Sequence, residues 1–288
     1  KSVFEKSIQN FVQNGGGNLN FTPTVGDPLV DRLLLERIQI ARQYSEIQDI
    51  FLYTNGILLD RFGFANLLTS GLSRLAISTF IGSREGYKKF YGNDKYLKVI
   101  ANIIGVAKEN HRLKTPVKIT LHLRVHGERS SWEETDVYRE IVSLIGVENV
   151  NYLDVYDAWG GRIEAKDIPD GMSLDQPIPL EEKIKSPCFE MYRRLHVLAD
   201  GKVGACVCVD LESEIKVGDI HTQTLSEIWA GPQIRKYREE WTRGSLPEVC
   251  KQCTRYQAID EFIKTNPKRI VVDYVRRRWP KTLKALTH

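Results

Sequence analysis

Apolar residues recur along residues 1–160 with two alternating periods. Spacing typical of helices occurs in five segments, 1–13, 28–44, 58–69, 86–111 and 133–145. Short apolar or alternating runs typical of strands lie at 18–23, 49–54, 74–80, 117–125 and 150–159. Because strands alternate with helices, the pattern predicts an α/β fold with a parallel sheet and right-handed crossovers.

This series opens with a helix, whereas a parallel α/β unit normally opens with a strand. We therefore expect a strand and its loop upstream of residue 1, and predict a six-unit open barrel. In such barrels the chemistry lies at the C-terminal ends of the strands. Those ends are predicted at 24–28, 54–56, 78–80, 122–126 and 154–161.

Small and polar residues mark three of these strand ends. Gly26 allows a ligand to approach the backbone, and Asp27 can accept a hydrogen bond from an ammonium group. Asp27 and Pro28 equally suit a helix start, as N-cap and first helical residue. Asn55 lies in a turn of a common type, and Ser78 by itself does not indicate a functional site. Their shared position after successive strands predicts that they line one pocket.

The cysteines give the most specific signal, because all five lie in one segment: Cys188, Cys206, Cys208, Cys250 and Cys253. Their odd number makes a disulfide framework a poor explanation and favours metal binding or catalysis. The last two form a C-x2-C metal clip, and a hairpin turn at 200–201 is expected to bring Cys188 near Cys206. Four thiolates suit one [4Fe–4S] cluster or one structural zinc, with Cys208 as the surplus thiol.

Prolines in residues 167–187 indicate a linker between two domains. We therefore predict a first domain at 1–166, a cysteine domain at 188–260 and a basic tail at 261–288. Apolar residues at helical spacing predict that the tail is a docked amphipathic helix, with contact to nucleic acid or another anion as the alternative.

Composition excludes several classes of protein. The chain has 288 residues, of which 42% are hydrophobic and 27% charged, which is globular rather than disordered. No apolar run reaches the ~18 residues of a membrane span, and no secretory signal is visible, so we expect a cytoplasmic protein with no membrane contact. The net charge of +4 makes nucleic acid an unlikely partner.

Residues 188–253 resemble the SPASM/twitch auxiliary-cluster domain of radical SAM enzymes. The likeness rests on C-x12-G-x4-C, on 217–220 (Val-Gly-Asp-Ile), on 225–229 (Leu-Ser-Glu-Ile-Trp) and on the final C-x2-C. The first domain resembles the partial (β/α)6 barrel of the same family. Gly26-Asp27-Pro28 occupies the place of the family's Gly-Glu-Pro motif, and Thr-Asn-Gly at 54–56 matches the family's motif at the next strand end. Ser78 matches a serine that lies near the cofactor in the family.

The chain also departs from the family pattern. The C-x3-C-x2-C loop of the SAM-binding cluster is missing, so we expect the chain to begin just after it; a degenerate homologue is the alternative. Tyr91 stands where many relatives have Arg, which leaves Arg124 as the candidate cation for the SAM carboxylate. No cysteine follows Cys253, so we expect a single auxiliary cluster.

The resemblance implies S-adenosylmethionine and [4Fe–4S] clusters as cofactors, with Cys188, Cys206, Cys250 and Cys253 as ligands. It implies hydrogen abstraction by a 5′-deoxyadenosyl radical, and a flavodoxin or ferredoxin as electron donor. Two outcomes stay open, oxidation of the substrate through the auxiliary cluster and epimerisation with Cys208 as the hydrogen donor. Cys208 can equally be a buried thiol without a role, or a ligand of the cluster.

Polar and aromatic strand ends suit a sugar, aminocyclitol or peptide substrate, with a small molecule favoured. The candidate contacts are His122, Arg124, His126, Asp154, Tyr156, Asp157 and Trp159. The competing hypothesis is a non-catalytic protein with a structural zinc clip and a basic tail.

Overall fold

The computed structural model describes residues 2–124, 133–168, 172–206 and 209–267. The chain divides into a sheet unit, formed by 16–157 and 163–175, and a cysteine unit, formed by 1–15, 158–162 and the chain from 176 onward. The first helix, α1 (Ser2–Gln13), therefore groups with the cysteine unit, although its sequence position predicted the first domain. Its side chains explain this grouping, since Asn10 Oδ1 accepts a hydrogen bond from the backbone N–H of Leu225 at 3.2 Å.

Five parallel strands form the sheet of the sheet unit, which confirms the predicted α/β class. They are β1 (Gly17–Asn20), β2 (Ile47–Thr54), β3 (Arg74–Thr79), β4 (Lys118–Arg124) and β5 (Val150–Leu153). The strands are hydrogen-bonded in chain order. Two short parallel strands, β6 (Val155–Tyr156) and β7 (Ser173–Leu174), form a separate pair. Because the five strands are parallel, their carboxyl ends share one edge of the sheet.

The helices of the sheet unit are α2 (Leu34–Arg42), α3 (Phe64–Thr69), α4 (Arg84–Tyr91), α5 (Tyr96–Leu113) and α6 (Asp136–Ile145). A short 3-10 helix, Pro28–Val30, precedes α2. The prediction of one continuous helix over 86–111 is wrong. Gly92 ends α4 in the left-handed conformation, with φ of +65°, and its N–H caps the carbonyl of Lys88.

One face of the sheet forms the core of this unit. Alternate residues of the central strands are fully buried, among them Leu52, Ile77 and Leu121. The helices bury apolar residues of their own, such as Ile103 of α5 and Ile141 of α6. The core therefore lies between the helices and this apolar face, as the period of two along each strand requires.

The cysteine unit is built around a three-stranded antiparallel sheet. Its strands are β8 (His196–Val197), β9 (Lys202–Gly204) and β10 (Lys216–Asp219), in the order β10-β9-β8. The predicted hairpin at 200–201 is confirmed by the pairing of β8 with β9, and Gly201 adopts φ of +87° in its turn.

The helices of this unit are α7 (Leu180–Lys183), α8 (Leu225–Trp229), α9 (Pro232–Thr242), α10 (Glu248–Lys251) and α11 (Ile259–Thr265). They pack around a core that includes Val203, Ile228 and Trp241. The predicted tail helix lies beyond 267, outside the described residues. Over the part of the chain that is described, no helix has the length and apolar character needed to cross a membrane.

Candidate functional site

Asp27 joins two strand ends at the carboxyl edge of the sheet. Its Oδ1 accepts a hydrogen bond from the backbone N–H of Leu29 at 2.9 Å, which makes it the N-cap of the 3-10 helix. Its Oδ2 accepts from the Thr54 hydroxyl and from the Asn55 N–H, both at 2.8 Å. This carboxylate therefore caps a helix and also tethers the loop to the end of β2. This is the helix-start role that Asp27 and Pro28 suggested in the sequence.

The residues around this tether leave backbone accessible. Gly26 has φ of +96°, a conformation that favours glycine, and no atom lies within 4 Å of the position a Cβ would occupy. Asn55 is exposed, and its Oδ1 accepts a hydrogen bond from the N–H of Ile57 at 3.0 Å. The turn is therefore fixed internally, while its outer side is open to a ligand.

Ser78 and Arg124 lie at the same edge. Ser78 is the second-last residue of β3 and pairs with His122 of β4. Arg124 ends β4, and its guanidinium lies 4.8 Å from the centre of the Tyr156 ring. The structure therefore brings Gly26, Asp27, Asn55, Ser78 and Arg124 to one edge of the sheet, where the strand order predicted them.

The face of the sheet opposite the core is polar. Paired residues of parallel strands point to the same side, and residues alternate along each strand. The polar members of this face, called the polar face below, are Asn18, Asn20, Asp49, Tyr53, Arg74, Ser78, Lys118, Thr120, His122, Arg124 and Asn151. All of them are exposed or half-buried. The rings of Tyr53 and His122 lie 5.3 Å apart, which confirms that they share this side.

Most of this polar face was not predicted, because the run at 49–54 is mainly apolar and shows little sign of a polar side. The alternation of Thr120, His122 and Arg124 with apolar residues in β4 was the available signal.

Burial sets the charge states near the edge. It lowers the pKa of His122, so this imidazole is neutral at pH 7. It raises the pKa of Tyr156 to about 12, although the nearby Arg124 charge acts in the opposite direction. Burial also raises the pKa of Tyr91, and the charge of Arg124 partly opposes this shift. Among the described residues at this edge, Arg124 supplies a cation and Asp27 a carboxylate, beside the neutral imidazole of His122.

The cysteine unit brings four thiols to one cavity. Cys188, Cys206, Cys250 and Cys253 line it, and none of them forms a disulfide. Cys188 precedes a 3-10 helix, Cys206 follows β9, Cys250 lies within α10 and Cys253 follows that helix. The rest of the wall is mostly apolar and includes Trp241 and Tyr256. The structure thus brings together the four cysteines for which the spacing predicted a shared metal centre.

Burial in this cavity disfavours the charged, thiolate form of the cysteines. Burial raises the pKa of Cys188 and Cys250, and that of Cys253 to about 12, with the neighbouring thiols adding to the effect. The backbone N–H of Arg255 donates to Cys253 Sγ at 3.3 Å, and amides of the chain at 190 and 257 favour the Cys188 thiolate. Thiolates held by amides in an apolar wall are ligands for zinc or for an iron–sulfur cluster.

Four cysteines around one cavity match the four thiolates of a [4Fe–4S] cluster or of a structural zinc site. In a cluster each thiolate binds its own iron, so the sulfurs stand further apart than around one zinc ion. In the described ranges, no three His, Cys, Asp or Glu side chains form a group that could hold a metal ion.

Lys183 was missed by sequence reasoning, because a lysine in a Pro-rich linker is expected to be exposed. It is fully buried, and its ammonium donates to the backbone carbonyls of Cys250, Lys251 and Cys253 at 2.8–2.9 Å. Burial lowers the pKa of Lys183, whereas the cysteines act in the opposite direction.

Some predicted residues are not brought to these sites. Cys208 and His126 lie outside the described residues. Asp154 lies between β5 and β6 of the sheet unit, and Asp157 is close behind β6. Trp159 belongs to the cysteine unit, whereas Asp154, Tyr156 and Asp157 belong to the sheet unit.

Residues 188–254 match the family model of an iron-sulfur cluster-binding domain, SPASM. This segment is therefore similar to a SPASM domain. The fold comparisons extend the likeness to radical SAM enzymes, which confirms the resemblance inferred from the motifs. The expected cofactors, S-adenosylmethionine and [4Fe–4S] clusters, agree with this family.

Two solved structures illustrate the shared fold. BtrN in complex with AdoMet and 2-DOIA aligns with a TM-score of 0.51 and 17% identity, over 88% of this chain and 78% of BtrN. SuiB of Streptococcus suis, bound to precursor peptide SuiA, aligns with a TM-score of 0.56 and 11% identity, over 82% of this chain and 59% of SuiB.

A curated relative is the probable GTP 3′,8-cyclase of Saccharolobus islandicus strain Y.N.15.51. It is 26% identical over 183 residues, which cover 62% of this chain and 56% of the relative. The chain thus spans little more than half the length of the curated relative that it matches.

Proposed function

We propose that this protein is a radical SAM enzyme that binds S-adenosylmethionine at the carboxyl edge of the sheet unit. The observation that carries the proposal is the Asp27 tether, which holds the Gly26 loop beside Asn55 at the edge that also carries Ser78 and Arg124. Support comes from the radical SAM fold and from the AdoMet complex of BtrN.

Each residue at the edge has a distinct task in this proposal. The backbone of Gly26 to Pro28 and the side chain of Asn55 accept and donate hydrogen bonds to the amino acid part of the cofactor. Ser78 donates to its polar groups, and Arg124 pairs with its carboxylate. The bound cofactor, with its iron–sulfur cluster, supplies a 5′-deoxyadenosyl radical that removes hydrogen from an unactivated C–H bond.

The polar face suits a small polar substrate such as a sugar or aminocyclitol. Amide, hydroxyl and imidazole groups of Asn18, Asn20, Thr120 and His122 hydrogen-bond hydroxyl and amino groups. An apolar ligand would leave these groups unpaired at a cost of about 1–3 kcal/mol each. The 2-DOIA complex of BtrN supports a small molecule, whereas the SuiA complex of SuiB keeps a peptide as the alternative.

In the cysteine unit, Cys188, Cys206, Cys250 and Cys253 hold the auxiliary [4Fe–4S] cluster. Its chemistry there is to accept an electron, which gives net oxidation of the substrate. Cys208 is the proposed hydrogen donor if the outcome is epimerisation instead. A small redox protein, a flavodoxin or ferredoxin, supplies the initiating electron in the cytoplasm.

Anaerobic purification of the full-length protein tests this function. We expect a brown protein with iron and sulfide that converts S-adenosylmethionine to 5′-deoxyadenosine under reducing conditions. Arg124→Gln should weaken cofactor binding at least tenfold by calorimetry. The matched control is Arg74→Gln, on the same face but at the amino end of β3, which should bind normally. A colourless zinc protein, or equal binding by both variants, would refute the assignment.

Rearrangement of a nucleoside triphosphate is the second candidate, favoured by the relationship to the GTP 3′,8-cyclase. Incubation with S-adenosylmethionine and GTP separates the candidates. Formation of 5′-deoxyadenosine that depends on GTP supports the cyclase, whereas dependence on a sugar or aminocyclitol supports the first proposal.

A further inference from the structure

The buried ammonium of Lys183 points its three N–H groups at three carbonyl oxygens. The acceptors belong to Cys250, Lys251 and Cys253, at 2.9, 2.8 and 2.8 Å. A neutral amine has only two N–H donors, so three acceptors at these distances require the charged form. Lys183 is therefore a cation that is hydrogen-bonded to the backbone of the C-x2-C clip.

The backbone of Lys183 is held as firmly as its side chain. The indole N–H of Trp241 donates to the Lys183 carbonyl at 2.6 Å, and the Tyr256 hydroxyl approaches the same oxygen at 3.3 Å. The two rings stack with centroids 5.8 Å apart, and both line the cysteine cavity. The lysine is thus fixed behind residues that line the cysteine cavity, through its hydrogen bonds to Trp241, Cys250 and Cys253.

This cation lacks an ordinary counter-ion. In the described chain, no Asp or Glu lies within ion-pair distance of Lys183, and the groups beside it that could carry a negative charge are Cys253, Cys250 and Cys188. Carbonyl dipoles satisfy its hydrogen bonds but carry no net charge. A buried charge is costly unless an opposite charge compensates it. The missing negative charge is what a thiolate-bound cluster brings.

We propose that Lys183 is the counter-cation of the auxiliary cluster, and that it fixes the C-x2-C clip and raises the reduction potential of the cluster. The inference rests on the cluster placement proposed above. A [4Fe–4S] group with four thiolates is negatively charged, and it becomes more negative by one charge when it takes up an electron. A fixed positive charge beside the cluster, in a low-dielectric interior, would favour that reduced state. Oxidation of a substrate radical, with one electron passing to the cluster and one proton released from the substrate, would then be more favourable.

Redox titration of the full-length holoenzyme, followed by electron paramagnetic resonance, tests this role. The auxiliary signal is identified as the one that Cys253→Ala abolishes. Lys183→Gln, which keeps two N–H donors but no charge, should shift its midpoint by at least 59 mV to more negative values, a tenfold change in a one-electron equilibrium constant. The control Lys251→Gln removes an exposed charge from the same clip and should leave the midpoint unchanged.

The possible results separate the two proposals. A wild-type protein without any signal that depends on Cys253 would contradict the cluster placement itself. An unchanged midpoint in an iron-replete Lys183→Gln variant would overturn only the role of the charge. If Lys183→Gln and Lys183→Met both lose iron and sulfide while Lys183→Arg retains them, the charge is needed to hold the cluster, as proposed. Loss in all three variants would assign Lys183 to packing alone and overturn the inference.

Discussion

The Asp27 carboxylate accepts a hydrogen bond from the Thr54 hydroxyl at 2.8 Å, across 27 positions of the chain. The same carboxylate caps the turn that leads toward α2 and binds the N–H of Asn55. One side chain therefore fixes the loop after β1 against the end of β2. A ligand at this edge meets a preorganised loop, which lowers the entropic cost of binding.

Asp27→Ala should lower the free energy of unfolding by about 2 kcal/mol, because it removes a cap and two further hydrogen bonds to a charged acceptor. Urea unfolding measures the change. The control is Asp31→Ala, whose carboxylate caps one N–H and pairs with Arg37 at a partly exposed site. We expect less than about 1 kcal/mol for this control. Equal losses for both variants would contradict the tether.

Gly92→Ala should destabilise the protein by about 1 kcal/mol, because alanine is strained at the left-handed φ of +65°. Thermal unfolding reports the shift. The sign of the change in the free energy of unfolding distinguishes the two structures. A continuous helix over 86–111 would instead gain about 1 kcal/mol from the same substitution. Gly92→Asn should lose less than Gly92→Ala, because asparagine tolerates this conformation.

Cys250→Ala should remove the auxiliary cluster and its iron and sulfide, because a buried ligand is lost. Cys208→Ala should retain the iron and still cleave S-adenosylmethionine. Product analysis of that variant then distinguishes the chemical outcomes, since an epimerase without its hydrogen donor loses the inverted product. Unchanged product would exclude the donor role and leave oxidation. Loss of iron in Cys208→Ala would make Cys208 a ligand.

Stability should fall as the pH drops below about 7. Burial lowers the pKa of His122 and His196 in the folded protein, so the folded state binds fewer protons than the unfolded chain, whose histidines titrate near ~6.5. Protonation then favours unfolding between that value and the lower folded pKa. Urea unfolding at pH 7.5 and 5.5 should show a smaller difference for His122→Gln than for wild type. The exposed His221→Gln should retain the wild-type difference.

Local sequence determined the element types and their order. The period of two in β4 and the helical period in α5 predict these elements because they mark faces that must be buried. The split between α4 and α5 was missed, since the apolar stripe continues across Gly92 and its left-handed φ leaves no trace in the hydrophobic pattern. Strand order then followed from the parallel topology, which places successive strand ends along one edge.

The sequence by itself also predicted which four cysteines line one cavity, because the hairpin and the C-x2-C spacing are local features. Only the tertiary structure decided that Asp27 binds Thr54, that the sheet has a polar face, and that Lys183 is buried under the C-x2-C clip. These contacts join positions far apart in the chain. Their hydrogen-bond geometry arises from packing, which no local pattern encodes.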